Sequence, residues 1–316
     1  MQSAISTVGL RKSYGDSTVL DGIDLEVAAG TVFALLGPNG AGKTTMVQIL
    51  ATLTPADGGT ALVAGHDVAT DPDAVRGVIG VTGQFSAVDE LLTGAENLRL
   101  MADLHHLVAA EGRQRITGLV ERFELGDIAD RRAATYSGGE RRRLDLAMTL
   151  IGDPRLIFLD EPTTGLDPRS RRTVWQIVRE LVADGVTVFL TTQYLEEADQ
   201  LADRVALLDG GRLIAERTPA QLKARVPGGY VLVRFADADG LSAAAATHPR
   251  AARDDDALTL SLPSDGTARS LRRVLDTLPD DEGVEDIALH SPDLDDVFLA
   301  LTGHAAPIRT EKESLR

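Results

Sequence analysis

The chain is 316 residues long, room for two domains at roughly 100–200 residues each, and its 43% hydrophobic content can fill two cores. Lys and Arg total 32 against 48 Asp and Glu, a formal charge of −16 that argues against binding nucleic acid through the whole surface. Cysteine is absent, which excludes disulfides, thiolate metal sites and a cysteine nucleophile, and fits a reducing compartment such as the cytoplasm.

The opening MQSAISTVGLRKSY lacks the apolar core of a secretory signal, and no apolar run approaches the ~18 residues that span a bilayer. The chain is therefore expected to be soluble and to reach a membrane only through a partner. Ala4–Tyr14 and Val19–Val27, either side of the polar GDST, predict an antiparallel pair added to a sheet edge. Thr31–Leu36 (TVFALL) is the first of four short apolar runs that read as buried parallel strands, followed by Leu156–Leu159, Thr187–Thr191 and Val205–Leu208. Residues from about 88 to 150 read as a helical subdomain inserted between sheet strands. Two stripes at i, i+3, i+4, i+7 mark amphipathic helices: Leu144, Ala147, Met148, Ile151, and Val174, Ile177, Val178, Leu181. Thr218-Pro219-Ala220-Gln221 has Thr as N-cap and Pro at the first helical position, starting a short helix that Pro227-Gly228-Gly229 ends.

Beyond that break come a strand at VLVRF, a small helix, a strand at ALTLSL, a helix around Ala268–Leu278, a strand at EDIALH and a helix from Asp293 to Leu301. The fold class expected is α/β: a larger domain over 1–226, a mixed sheet with antiparallel edge strands and the helical insertion, then a small α+β accessory domain over 227–303. A flexible tail over 304–316 completes the chain. Residues 229–316 carry 9 Lys plus Arg and 17 Asp plus Glu, so half of the net charge sits on little more than a quarter of the length.

Gly37-Pro38-Asn39-Gly40-Ala41-Gly42-Lys43-Thr44 fits G-x-x-x-x-G-K-[ST] between a predicted strand and a predicted helix, the context a P-loop requires. Its glycines let backbone N–H groups curl around phosphate oxygens, Lys43 reaches the β/γ-phosphates, and Thr44 offers a hydroxyl to Mg²⁺. LIFLDE places Asp160 and Glu161 at the end of an apolar strand, where ligands bind in open α/β sheets. Asp160 is expected to hold Mg²⁺ directly or through water, and Glu161 to accept a hydrogen bond from the water that attacks the γ-phosphate. Tyr136-Ser137-Gly138-Gly139-Glu140-Arg141 opens an amphipathic helix 23 residues before Asp160, counted from Ser137. Alone, Ser-Gly-Gly is an N-cap; between a P-loop and an acidic pair it separates families of ATPases.

With these three motifs in this order the chain resembles the ATP-binding subunit of an ABC transporter. Tyr136 and Glu140 depart from that family's usual LSGGQ. The resemblance implies that ATP and Mg²⁺ bind on Gly37–Thr45, Thr45 included, and that Ser137, Gly138 and Gly139 of a second subunit cover the nucleotide, two copies closing head-to-tail over two ATP. It also implies that Tyr14 stacks on adenine, that Gln84 reaches Mg²⁺ and water from a loop sensing a membrane permease, and that Asp167 of Gly165-Leu166-Asp167 lies on the loop crossing between subunits. Gln193 stands where the family usually has a histidine on the γ-phosphate; an amide can hydrogen-bond there but carries no titratable charge.

TTQYLEEADQLADR, VTGQFSAVDELLTGAENL and SPDLDDVFLALTGH narrow the resemblance to the daunorubicin/doxorubicin resistance branch, which implies export of an amphipathic drug or antibiotic by a permease at the inner face of the cell membrane. In the last segment Leu294, Val297, Phe298 and Leu301 form a helical stripe that either closes a small core or serves regulation. A soluble ABC-type ATPase acting on DNA or ribosomes is the alternative. One P-loop, no sustained heptads and the acidic charge weigh against it, so no nucleic acid partner is expected. His105 and His106 are adjacent rather than i, i+4, so no structural zinc is expected. The clusters Arg131-Arg132, Arg141–Arg143 and Arg171-Arg172 read as solvated helix faces.

Overall fold

Period-two burial over the first thirty residues produces β1 (Ser3–Tyr14) and β2 (Ser17–Ala28), paired antiparallel in the computed structural model. It describes residues 3–83, 87–224, 229–249, 251–264, 267–278, 283–290, 293–294 and 296–298. The chain divides into two compact units, Met1–Pro219 and Ala220–Arg316. In the first, β3 (Val32–Leu36) leaves the opening pair for the middle of another sheet, and α1 (Lys43–Leu50) follows it. The opening pair does not extend that sheet. The free edge of β1 takes β4 (Gly58–Val63), which pairs with β5 (His66–Asp67), so the antiparallel strands form a sheet of their own in the order β2-β1-β4-β5.

The second sheet has the order β10-β9-β3-β8-β7-β6, built from β6 (Ile79–Thr82), β7 (Leu156–Asp160), β8 (Thr187–Thr192), β9 (Arg204–Asp209) and β10 (Arg212–Arg217) around β3. Its strands run parallel except β10, the antiparallel edge. Both flanks of β3 are taken, by β8 and β9, which is why β1 and β2 cannot join beside it. Instead Leu10, Leu20, Ile23 and Leu25 share one core with Met46, Ile49 and Leu50 of α1 and with Phe33 and Leu208 of the second sheet. The Asp21 amide donates to the Gly211 carbonyl at 2.8 Å, tying β2 to the turn between β9 and β10. Strands β3, β7 and β8 are buried at every position, as expected of parallel strands covered on both faces.

After the short α2 (Pro72–Arg76), helices α3 (Gly94–Leu104), α4 (Ala109–Arg122) and α5 (Gly138–Thr149) intervene between β6 and β7, two strands that pair directly. Then α6 (Pro168–Ala183) and α7 (Leu195–Leu201) flank β8 in sequence, and α8 (Pro219–Lys223) follows β10. Both stripes noted in the sequence are buried throughout.

The second unit runs β11 (Tyr230–Phe235), α9 (Ala238–Thr247), β12 (Ala252–Asp254), β13 (Thr259–Pro263), α10 (Ala268–Leu275) and β14 (Val284–His290). Its sheet, ordered β12-β13-β11-β14 and antiparallel throughout, has the split βαβ topology of ferredoxin-like domains. Val231, Val233 and Phe235 pack on Leu241, Ala244 and Val274 from its helices. Three-residue β12 left no mark in the hydrophobic pattern. Leu294 and Val297 of the last predicted stripe are buried; Leu301 and the tail 304–316 lie outside the described residues.

Candidate functional site

The C-terminal ends of β3 and β7 bring four of the sequence-predicted residues together. Beyond β3 the chain turns through Gly37 and Gly42 into α1, and neither position has space for a side chain. A Cβ at Gly37 would lie 2.3 Å from the Leu208 carbonyl oxygen, and one at Gly42, where φ is +107°, 2.8 Å from that of Val19. Lys43, the first residue of α1, is buried and turns its ammonium back into the loop, donating to the carbonyls of Gly37 at 2.8 Å and Pro38 at 3.1 Å. Its Nζ also stands 3.9 Å from Glu161 Oε1. Burial pulls the Lys43 ammonium below the usual lysine range, opposed by the Glu161 and Asp160 carboxylates.

Thr44 Oγ1 donates to Asp160 Oδ2 at 2.9 Å, joining the start of α1 to the end of β7. The other oxygen, Oδ1, accepts from the hydroxyl of Thr191, which lies directly opposite Asp160 in the β7–β8 pairing and is fully buried. Thr191 is a site residue that motif reading passes over: a threonine in an apolar strand gains meaning only from its partner across the sheet. Glu161 leaves β7 with φ +50°, a costly conformation for a non-glycine residue and one that clusters at functional positions. The Thr191 carbonyl accepts the Glu161 amide at 3.0 Å, and Thr164 Oγ1 donates to Glu161 Oε2 at 3.2 Å. The Thr44 hydroxyl and Asp160 carboxylate form an all-oxygen donor set that suits Mg²⁺, and the glycine-rich turn that Lys43 folds back into suits a polyphosphate.

The signature residues sit apart. Ser137 caps α5 in a reciprocal box: its Oγ accepts from the Glu140 amide at 3.3 Å, and the Ser137 amide donates to Glu140 Oε2 at 2.7 Å. That amide bond holds the Glu140 carboxyl below its usual range, so a carboxylate serves the cap where the family has an amide. Asp167 caps α6, accepting from the amides of Arg169 at 2.9 Å and Ser170 at 3.0 Å and from the Ser170 hydroxyl, which lowers its pKa. Ser137, Gly139, Glu140, Asp167 and Ser170 line one cavity of about 290 Å³. Among the described residues, no hydrogen bond or ion pair joins Ser137–Gly139 or Asp167 to the P-loop.

Tyr14 ends β1 with 49% of its surface exposed, and the Lys12 ammonium lies 5.3 Å from its ring centre. Gln193, just past β8, is exposed, and its amide makes no hydrogen bond among the described residues. Gln84 lies outside the described residues.

One position differs from its sequence reading. Arg142, grouped with its neighbours as a solvated face, keeps only 10% of its side chain exposed and pairs with Asp145 at i+3. Tyr136, the aromatic departure in the signature, is an interior brace. Its hydroxyl donates to the Ile128 carbonyl at 2.5 Å, and a Cβ at Gly94 would fall 2.3 Å from the Tyr136 hydroxyl oxygen. Burial raises the Tyr136 pKa. Tyr136→Phe is expected to lower unfolding stability by about 1 kcal/mol, since the Ile128 carbonyl loses its donor, while ATP turnover stays near parental; urea unfolding and an ATPase assay check both.

Similarity to known proteins agrees with this arrangement. A family model described as ABC transporter matches residues 20–164. The daunorubicin/doxorubicin resistance ATP-binding protein DrrA of Streptomyces peucetius is 49% identical over 98% of this chain and 96% of its own length. The Nod factor export ATP-binding protein I of Ralstonia nicotianae is 38% identical over 95% of this chain and 94% of its own. Among solved structures, an ATP-binding subunit of an ABC transporter superposes with a TM-score of 0.64 at 27% identity, over 70% of this chain and 92% of that one. A dimeric ATP-binding cassette in a post-hydrolysis state with ADP and phosphate gives 0.62 at 26% identity, over 68% and 98%.

Proposed function

The chain belongs to the ATP-binding subunits of ABC transporters, and from that premise we propose that it powers the export of an amphipathic drug or antibiotic through a separate membrane permease. The observation that carries the hydrolytic reading is the convergence of Thr44 on Asp160 at 2.9 Å and of Lys43 on Glu161 at 3.9 Å, across the ends of two parallel strands. Lys43 exchanges its loop carbonyls for the β- and γ-phosphate oxygens of ATP, and the backbone N–H groups that the loop carries beyond Pro38 cradle the rest. Thr44 and Asp160 would hold Mg²⁺, which would supply charge neutralisation at the phosphates. Glu161, kept in place by its amide bond to Thr191 and by the Thr164 hydroxyl, accepts a hydrogen bond from the attacking water and takes its proton.

Tyr14 offers an exposed ring to adenine, Gln84 serves Mg²⁺ and water, and Gln193 hydrogen-bonds the γ-phosphate as a neutral amide. Ser137–Gly139 and Asp167 serve the nucleotide held by a second copy, which their separation from the P-loop within one chain supports. Helix α5 then aims its N-terminal amides and dipole at that γ-phosphate. Exposed Leu91, Leu100 and Leu104, from the segment after Gln84 through α3, offer the permease an apolar surface. Residues 227–303 form an accessory domain. No helix among the described residues is long and apolar enough to cross a membrane, so membrane association runs through the permease.

Fractionation tests this. The chain is expected to sediment with membranes when its permease is co-expressed and to stay in the supernatant without it. Permease-independent sedimentation, or ATP turnover stimulated by DNA or RNA, would contradict the transporter reading.

A further inference from the structure

Both flanks of the segment that carries Gln84 are bonded to α5, the helix capped by Ser137. Upstream, buried Thr82 ends β6 two residues before Gln84. Thr149 Oγ1 gives its proton to the Asp145 carbonyl at 2.9 Å, so in the 2.9 Å contact between the Thr82 and Thr149 hydroxyls Thr82 is the donor. Strand and helix approach closely there: a Cβ at Gly80 would lie 2.5 Å from Thr149 Cγ2. Downstream, the Ala87 amide, three residues after Gln84, donates to Asp145 Oδ1 at 3.1 Å. Asp145 Oδ2 accepts from Arg142 Nη1, also at 3.1 Å, and one turn earlier on α5 Arg141 pairs with Glu90 at 2.6 Å.

Asp145 is the residue common to both flanks. Its carbonyl takes the Thr149 hydroxyl that holds Thr82, and its carboxylate takes the Ala87 amide, with 3% of the side chain exposed. Stability alone does not call for a buried carboxylate here, because well-packed apolar side chains in place of a buried ion pair are often neutral or stabilising. Buried polar groups whose bonds are satisfied instead fix one arrangement of the elements they join. The elements joined here are the two sides of Gln84 and the helix that begins at Ser137.

We propose that Asp145 is a positioning residue for ATP hydrolysis, fastening the segment that carries Gln84 to α5 through the Ala87 amide. The inference rests on the reading that Gln84 serves the nucleotide of its own chain and Ser137–Gly139 that of a second copy. It adds that one helix carries both duties, so that the two nucleotides are linked through a residue that touches neither.

The test uses the full chain with Asp145→Ala, Asp145→Asn, Ala87→Pro, Gln84→Ala and the double variant Gln84→Ala/Asp145→Ala, measuring kcat, KM for ATP, equilibrium ATP binding and thermal unfolding. Misplacing catalytic groups by about 1 Å is worth on the order of 100-fold. Asp145→Ala is therefore expected to lose about 10- to 100-fold in kcat, with ATP affinity near parental, and Asp145→Asn, which keeps one acceptor oxygen, to recover part of the loss. Ala87→Pro deletes the amide donor while leaving the Arg142–Asp145 pair in place, and should lower kcat in the same way. The double variant should be no slower than the slower of its two single variants, because residues acting through one another are not additive. Parental kcat in Asp145→Ala or in Ala87→Pro, a loss confined to KM or to unfolding temperature, or losses that multiply in the double variant would each overturn the proposal. If Asp145→Ala does not fold, Asp145→Asn and Ala87→Pro decide it on the same readouts. Parental turnover in Gln84→Ala would instead overturn the reading of Gln84, and the inference with it; a slow Gln84→Ala beside a fully active, folded Asp145→Ala would overturn the inference alone.

Discussion

Glu161→Gln is expected to bind ATP as tightly as the parent and to hydrolyse it about 10²–10⁴-fold more slowly, the usual worth of a positioned general base. The amide matches the carboxylate in size and can still accept from Thr164, whose hydroxyl donates to Glu161 Oε2 at 3.2 Å. The backbone at φ +50° is held by the Thr191 carbonyl and is indifferent to the change. What disappears is the capacity to take a proton from water. Because binding survives and hydrolysis does not, ATP-bound dimers should accumulate and be visible by sizing in the presence of ATP. Near-parental turnover would remove Glu161 from the catalytic role.

Lys43→Ala is expected to fail one step earlier, at binding. Removing a charged donor to phosphate costs about 1.5–3 kcal/mol, or roughly 10- to 100-fold in ATP affinity. The variant also leaves Glu161 without the ammonium 3.9 Å away and the carbonyls of Gly37 and Pro38 without their donor. Titration of a fluorescent ATP analogue checks it; parental affinity would mean that the P-loop holds phosphate by its backbone alone. The two variants separate the roles of two side chains that share one ion pair, since one should lose chemistry with binding intact and the other binding itself.

Much of this arrangement was readable before any coordinates, because its determinants are local. A glycine-rich turn between an apolar strand and a helix, and an acidic pair ending a second strand, each lie within ten residues of sequence. Thr191 was not readable in the same way: its value comes from pairing with Asp160 across two strands 31 residues apart. Arg142 was misread because three consecutive arginines suggest a wet surface, whereas the middle one faces Asp145 one helical turn on and is drawn inward with it. The opening strands were identified as a pair, but the sheet they join depends on β8 and β9 already flanking β3, a fact about distant residues. Tyr136, conspicuous as a departure from the signature, is explained by Gly94 and Ile128, neither of which its own neighbourhood in sequence points to.

ATP turnover against protein concentration, with Mg²⁺ and with Glu161→Gln in parallel, bears most directly on two copies completing each other's sites. Specific activity that rises with concentration and vanishes in the variant is the expected result. Turnover independent of concentration from a chain that sizes as a monomer, or turnover that persists in Glu161→Gln, would contradict it.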